Sequence, residues 1–194
     1  HGYDSLLRTV KPSIGHLGVY IGLQGTAQEL GLPKTNFWIY PGGNDYDGAL
    51  DRFLRDPQGP FPVVYVSFPS AKDPSFEQRH PGRSTIEIVA PAPYEIFEQW
   101  AGSTRGKRGD DYDERLLEHL YDKVPQVRGR VDYWEVSTPL SMQHFCGYGR
   151  GELYGLDHDP ERFRQDWLRP RTRIKGLWLT GQDACSCGIG GALA

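Results

Sequence analysis

The sequence predicts an α+β domain over residues 1–175, joined over residues 176–194 to the last strand and helix start of a nucleotide-binding domain. Short apolar runs with β-strand alternation are interleaved with apolar residues at helical spacing. Glycine (24) and proline (15) make up about a fifth of the chain, which favours many turns and long connections. With 38% hydrophobic and 12% aromatic residues, the chain has the composition of a folded protein.

Within residues 1–175, four strands are predicted in the first half of the chain and one in the second. Residues 17–23 alternate apolar side chains with glycine and tyrosine, as expected for a half-buried strand. The other predicted strands are apolar runs bounded by turn residues, at 36–40, 63–68, 84–89 and 131–136.

Helices are predicted between these strands. The turn at 41–44 leads into a helix over 46–54, with Asn44 or Asp45 as its N-cap. Apolar residues at helical spacing predict a short helix over 94–100 and a longer one over 112–124. A last helix is predicted over 160–167, opened by Asp159.

Charge and cysteine content exclude several classes of protein. A net charge of -3 offers no general field for nucleic acid. The basic cluster Arg105, Lys107 and Arg108 precedes an acidic run, so we interpret it as a solvated loop rather than an anion site. Three cysteines argue against a secreted disulfide framework. No apolar stretch approaches the ~18 residues that a membrane span needs.

The end of the chain carries the clearest functional signal. An apolar run at 177–180 predicts a strand, and a glycine-rich turn and a helix start follow it. Such a turn brings backbone N–H groups close to a phosphate or an electron-rich ring, because glycine has no Cβ to hold a ligand away. The alternative is a capped helix in which Asp183 only satisfies its own turn. Since the chain begins at His1 and stops about one turn into this helix, we expect it to be a piece of a longer protein.

Five segments together resemble a known family. They are FPSAKDP at 68–74, HPGRST at 80–85, GKRGDDY at 106–112, YGLDHD at 154–159 and LTGQD at 179–183. In this order and spacing they resemble the FAD-dependent oxidoreductases that include retinol saturases, carotenoid isomerases and phytoene desaturases. The resemblance covers nearly the whole chain. The segments at 68–74 and 154–159 are the more specific ones, since many flavin enzymes share the last.

The resemblance implies a flavoprotein with a Rossmann-like FAD domain and an inserted substrate domain. It implies saturation of one double bond of a retinoid polyene, most closely the 13,14 bond of all-trans-retinol. A nicotinamide cofactor, NADH or NADPH, is a candidate electron source, and the endoplasmic-reticulum membrane is the expected location. The family's G-x-G-x-x-G fingerprint has no counterpart in this sequence, and glycine stands at Gly149 where we expect the family to have proline.

The same resemblance implies which residues contact FAD. Asp183 would hydrogen-bond the ribose or pyrophosphate region, and backbone amides of the turn would face the flavin. The implied cofactor-binding residues are Gly181, Asp183, Gly188, Ile189, Gly190, Gly191 and Ala192.

A polyene site is expected near the glycine-rich run at 146–151. Saturation also needs a proton donor, and Tyr148, Tyr154 and His158 are the candidates, with His144 a further chemically able group. Each of these side chains could instead satisfy a loop backbone. Two other functions stay open: carotenoid cis–trans isomerisation or desaturation by the same flavin, and non-catalytic binding of an apolar ligand.

A zinc site is the less favoured alternative, and we expect no metal. His144 with Cys146 and Cys185 with Cys187 are residue types that zinc accepts. Their one-residue spacings differ from the usual CxxC pair, and the two pairs lie far apart in sequence.

Overall fold

The computed structural model describes residues 2–102 and 111–193, and a five-stranded antiparallel sheet forms its centre. The strands lie in the order β2-β3-β4-β1-β5. They are β1 (His16–Gln24), β2 (Phe37–Ile39), β3 (Val64–Ser67), β4 (Arg83–Pro91) and β5 (Val131–Ser137). An antiparallel sheet with helices around it confirms the α+β prediction for this part of the chain.

The helices are mostly short. They are α1 (Tyr3–Leu7), α2 (Tyr46–Arg55), α3 (Pro69–Lys72), α4 (Phe76–Arg79), α5 (Tyr94–Glu98), α6 (Tyr112–Lys123), α7 (Pro139–Cys146), α8 (Pro160–Phe163) and α9 (Ile189–Ala192), with a 3-10 turn at Pro125–Val127. Asp45 is the cap of α2, as predicted, and its Oδ1 accepts a hydrogen bond from the N–H of Gly48 at 3.1 Å. The predicted basic loop at 105–108 lies outside the described residues.

The core lies between β1, β3 and β4 and the helices α5 and α6. Leu17, Val19, Ile21 and Leu23 of β1 are at most 2% exposed, which confirms the predicted alternation. They pack in one cluster with residues of the other elements, including Phe97 and three leucines of α6. Burial of each such side chain contributes about 1.5–3 kcal/mol to the stability of the fold, so this layer holds both ends of β1 in place.

The predicted strand at 177–180 is wrong. Within the described residues this run makes one isolated bridge, between Trp178 and Arg171, and Leu179 N–H donates to Pro170 at 2.8 Å. Trp178 is 64% exposed. A strand needs a neighbouring strand along its length, and one bridge does not supply it. The Rossmann-like character of residues 176–194 and the domain division at 175/176 stay predictions.

The predicted helix at 160–167 is shorter than expected. Asp159 caps it as predicted, accepting from the N–H of Arg162 at 2.7 Å, but α8 ends at Phe163. From there the chain makes tight turns, with Arg164 N–H donating to Glu161 and Gln165 N–H to Arg162. These three-residue bonds replace the four-residue bonds that would extend the α-helix. Among the described helices, none is long and apolar enough to cross a membrane.

Candidate functional site

The family-like loop at 154–159 is attached to the segment that leads into β1. Ser13 N–H donates to the carbonyl oxygen of Gly155 at 2.7 Å, and Tyr154 N–H donates to Ser13 Oγ at 3.0 Å. Asp157 N–H donates to the carbonyl of Lys11 at 2.8 Å. Because β1 is an interior strand, paired on both sides, these bonds give the loop a rigid support at the His16 end of that strand.

Asp183 lies against this loop. Its Oδ1 accepts a hydrogen bond from the N–H of Leu156 at 2.7 Å. The carboxylate therefore links the glycine-rich turn to the loop. Gly155 makes this possible: its φ is +71°, and a Cβ there would collide with Oδ1 and lie 2.9 Å from Asp183 Cγ. The cofactor role implied for Asp183 stays a prediction, with one carboxylate oxygen engaged in this contact.

Arg162 makes a second link between the loop region and the glycine-rich turn. Its Nη2 donates to the carbonyl oxygens of Gln182 at 2.6 Å, Asp183 at 2.7 Å and Cys185 at 3.5 Å. The residue is only 4% exposed, and its guanidinium lies over the Phe163 ring at 4.9 Å. No local sequence pattern signals Arg162 as a functional residue, since its partners lie about twenty positions later.

Of the three predicted proton donors, Tyr148 contacts this turn, and Tyr154 and His158 lie in the loop at 154–159. Gln182 Nε2 donates to Tyr148 Oη at 3.3 Å, which places Tyr148 beside the LTGQD motif. The rings of Tyr154 and His158 are 6.2 Å apart, and His158 meets Phe163 at 5.9 Å, both edge to face. His144 is exposed, as Tyr154 is, and its ring contacts that of its neighbour Phe145.

Buried polar atoms without a hydrogen-bond partner concentrate at this end of the domain. Among the described residues they are His16 Nδ1, Glu152 Oε2, His158 Nε2, and Nε and Nη1 of Arg162. Each such atom costs about 1–3 kcal/mol, and native proteins keep few of them away from functional regions. Burial also lowers the pKa of His16 below its ordinary value. The cluster marks this end of the sheet as the candidate site.

The glycine-rich turn leaves its backbone accessible. A Cβ at Gly181, Gly188 or Gly190 would meet nothing within 4 Å, so another group can approach the chain there. Gly191 is different, because a Cβ would lie 2.9 Å from Ser186 N and closer still to its carbonyl group. Ile189 of α9 is 80% exposed. An accessible backbone beside an exposed apolar side chain fits the face of a flat cofactor ring.

A cavity of about 350 Å³ lies next to the loop, within the range of about 300–1,000 Å³ that ligand sites occupy. Leu50 and Leu54 of α2 line one side, and Tyr94 and Arg150 line another. Arg150 comes from the glycine-rich run for which a polyene site is predicted; its guanidinium lies 5.3 Å from the centre of the Tyr94 ring.

A larger cleft of about 660 Å³ lies at the other end of β1 and β4. Charged side chains line it, including Glu29, Lys34, Asp73 and Arg83. A polyene has no polar groups to pair with these charged side chains, so the smaller cavity fits an apolar ligand better.

The residues of the zinc alternative do not assemble. In residues 2–102 and 111–193, no group of three or more His, Cys, Asp or Glu side chains could hold a metal ion. All three cysteines are free, and Cys146 and Cys187 are exposed.

Comparison with curated proteins finds matches over nearly the whole chain. All-trans-retinol 13,14-reductases of Macaca fascicularis and Homo sapiens are each 38% identical over 206 residues, covering 99% of the chain. The chain is homologous to these reductases. A relative from Danio rerio, named inactive all-trans-retinol 13,14-reductase, is 33% identical over 96% of the chain. No protein-family profile matches.

The chain spans about a third of the length of these relatives, 34% for the first two and 33% for the third. The similarity covers both the loop at 154–159 and most of the glycine-rich turn, since it extends over 99% of the chain. The homology therefore includes the clusters that the structure brings together around Asp183 and Arg162.

Proposed function

We propose that this chain forms the substrate side and the cofactor turn of an FAD-dependent oxidoreductase that saturates the 13,14 double bond of all-trans-retinol. The observation that carries this proposal is the 38% identity, over 99% of the chain, to proteins named for that reaction. The names favour retinol saturation over carotenoid isomerisation or desaturation. NADH or NADPH as electron source and association with the endoplasmic-reticulum membrane are further parts of the proposal, and they rest on the family resemblance.

The glycine-rich turn is the proposed contact with FAD. Gly181, Gly188 and Gly190 expose backbone without a Cβ in the way, and Ile189 offers an apolar surface beside them. Asp183 and the remaining turn residues, Gly191 and Ala192, complete the proposed set. When bound, a flavin supplies the electrons of the reduction as hydride, and the protein supplies orientation and electrostatics.

Saturating a carbon–carbon double bond places a hydride on one carbon and a proton on the other. His158 is the proposed first choice for the proton, because its Nε2 is buried and has no partner among the described residues. Two aromatic rings hold the imidazole, those of Tyr154 and Phe163. Tyr148 is the second choice: its oxygen accepts from Gln182, so its own O–H proton stays available.

The 350 Å³ cavity is the proposed place for part of the polyene. Leu50 and Leu54 give apolar contact to a hydrocarbon chain. Arg150 and Glu95 are ion-paired at its rim and Tyr94 lies beside them, so the cavity has a polar end that suits an alcohol. The alcohol of a retinoid would then be oriented at the rim, with the conjugated chain among the leucines.

The test uses the full-length native polypeptide. Its visible absorbance is measured for flavin, and the flavin is then reduced and mixed with all-trans-retinol. We expect a flavin spectrum and a product that has gained two hydrogen atoms, identified by chromatography with mass spectrometry. The name of the inactive relative makes non-catalytic retinoid binding the competing outcome. Retinol that binds and is recovered unchanged, with flavin present, would contradict the proposed reaction.

Variants assign the proton donor and the flavin contact. His158→Gln is expected to lower the rate of retinol saturation by about 10²-fold, the usual contribution of a general acid. Tyr133→Phe is the matched control, because Tyr133 is 60% exposed on β5 and donates to Glu135. Asp183→Ala is expected to weaken flavin retention. A folded Asp183→Ala protein with normal flavin content would remove Asp183 from the proposed set.

A further inference from the structure

Arg162 is a buried cation without an anionic partner among the described residues. It is 4% exposed, and the three acceptors of its Nη2 are neutral carbonyl oxygens. Its Nε and Nη1 are buried and have no partner within residues 2–102 and 111–193. Burying an uncompensated charge is unfavourable, so this arrangement needs a reason beyond the stability of the loop.

We propose that Arg162 is a positioning residue that makes FAD binding and the order of the loop at 154–159 interdependent. The inference rests on the proposed function, because it requires that the glycine-rich turn contacts FAD. It assigns to Arg162 the task of transmitting that contact to the loop that carries Tyr154 and His158.

The geometry supports this assignment from both sides of the contact. Arg162 lies in α8, directly after the loop, and its backbone N–H is capped by Asp159 at the loop's end. Its side chain gathers the carbonyls of Gln182, Asp183 and Cys185. A turn whose carbonyls converge on one guanidinium keeps a single conformation, including the positive φ of Gly181, +91°.

Asp183, in the turn, provides the second link to the loop. Its backbone carbonyl accepts from Arg162, while its carboxylate accepts from Leu156 in the loop. The loop and the turn therefore hold each other through two residues, one cationic and one anionic. Anything that orders the turn also orders the loop, and by linkage the ordered loop strengthens binding at the turn.

The charge of Arg162 adds an electrostatic contribution. FAD carries a negatively charged diphosphate, and an uncompensated cation beside the turn attracts it. Lysine at this position would keep the charge, but its shorter side chain ends before the position of Nη2, the atom that contacts all three carbonyls. The two contributions can therefore be separated by substitution.

The experiment compares Arg162→Met, Arg162→Lys and the wild type in the full-length polypeptide. Arg164→Met is the matched control, because Arg164 lies two residues away and pairs with Glu161 at the exposed surface. Each protein is stripped of flavin and titrated with FAD to give a dissociation constant. Amide hydrogen exchange of residues 154–159 is then measured with and without FAD, with β1 as an internal reference.

We expect Arg162→Met to weaken FAD binding at least tenfold and Arg162→Lys to recover part of that loss. Arg164→Met should remain within twofold of the wild type. In the wild type, FAD should slow exchange at Leu156 and its neighbours, and in both Arg162 variants this slowing should disappear while β1 is unchanged. If the methionine variant does not fold, the lysine variant decides, because loss of FAD-dependent slowing is expected there too.

Two outcomes would overturn the inference. One is an Arg162 variant that binds FAD as the wild type does; the other is FAD-dependent slowing that persists in residues 154–159 without Arg162. Failure of the proposed function would be recognised separately and first, as wild-type protein that binds no FAD.

Discussion

The contact between Gly155 and Asp183 allows a quantitative test of how the loop is held. Replacing Gly155 by alanine places a Cβ on a residue with φ of +71°, in collision with Asp183 Oδ1 and 2.9 Å from its Cγ. The left-handed backbone costs a non-glycine residue about 1–2 kcal/mol. Displacing the carboxylate also loses its hydrogen bond to Leu156, and bonds to charged groups contribute about 1.5–3 kcal/mol. The expected loss in the free energy of unfolding is therefore about 2.5–5 kcal/mol.

Two further variants isolate the collision from the backbone cost. Gly129→Ala is the matched control: Gly129 has φ of +79°, and a Cβ there meets nothing within 4 Å, so only the backbone cost of about 1–2 kcal/mol remains. In an Asp183→Ala background, Gly155→Ala should also cost only that smaller amount. The free energies are obtained from urea unfolding followed by tryptophan fluorescence. Equal losses in the free energy of unfolding for Gly155→Ala and Gly129→Ala would refute the contact between Gly155 and Asp183.

Three other predictions concern the site and its surroundings. Gly151→Ala should destabilise the protein by about 3 kcal/mol or more, because φ is +63° and a Cβ would lie 2.6 Å from Pro139 Cα. The thermal midpoint is expected to fall by about 10 °C, and a midpoint within 2 °C of wild type would be inconsistent with this prediction. Burial lowers the pKa of His16 below 6.5, so the unfolded state takes up its proton first as the pH falls. The contribution of His16 to stability should be complete above pH 6.5 and should decrease below it. His16→Asn should therefore make the urea midpoint depend less on pH between pH 7 and pH 5. An unchanged slope of midpoint against pH would exclude His16 as the source of the pH dependence. Replacing Cys185 and Cys187 by serine should leave flavin content and retinol saturation largely intact, whereas loss of stoichiometric zinc, measured by elemental analysis, would restore the metal hypothesis.

Local patterns were enough to predict the sheet and the main helices. The alternation at 17–23 predicted β1 because one face of that strand is buried, and Asp45 was recognisable as a cap from its place before a helical run. These features depend on residues within a few positions of one another.

The errors and omissions involve distant contacts. The run at 177–180 has strand composition, but composition does not supply the neighbouring strand that pairing requires. Arg162 reaches residues about twenty positions later, and Tyr148 reaches Gln182, 34 positions later. The sequence predicted Tyr148, Tyr154, His158 and Asp183 separately as candidates. The contact of Tyr148 with Gln182, and that of Asp183 with the loop that carries Tyr154 and His158, came only from the fold.

The arrangement of β1 has a consequence for how the chain folds. β1 is an interior strand near the start of the sequence, and it pairs with β4, which begins at Arg83, and with β5, which begins at Val131. Such pairings between distant segments form slowly, because a long loop must close before any contact is gained. During synthesis, β1 is therefore made well before either of its partner strands. Newly made chains present an incompletely paired, aggregation-prone strand until residue 137 has left the ribosome, and chaperone binding is expected to concentrate on residues 16–24 in that interval.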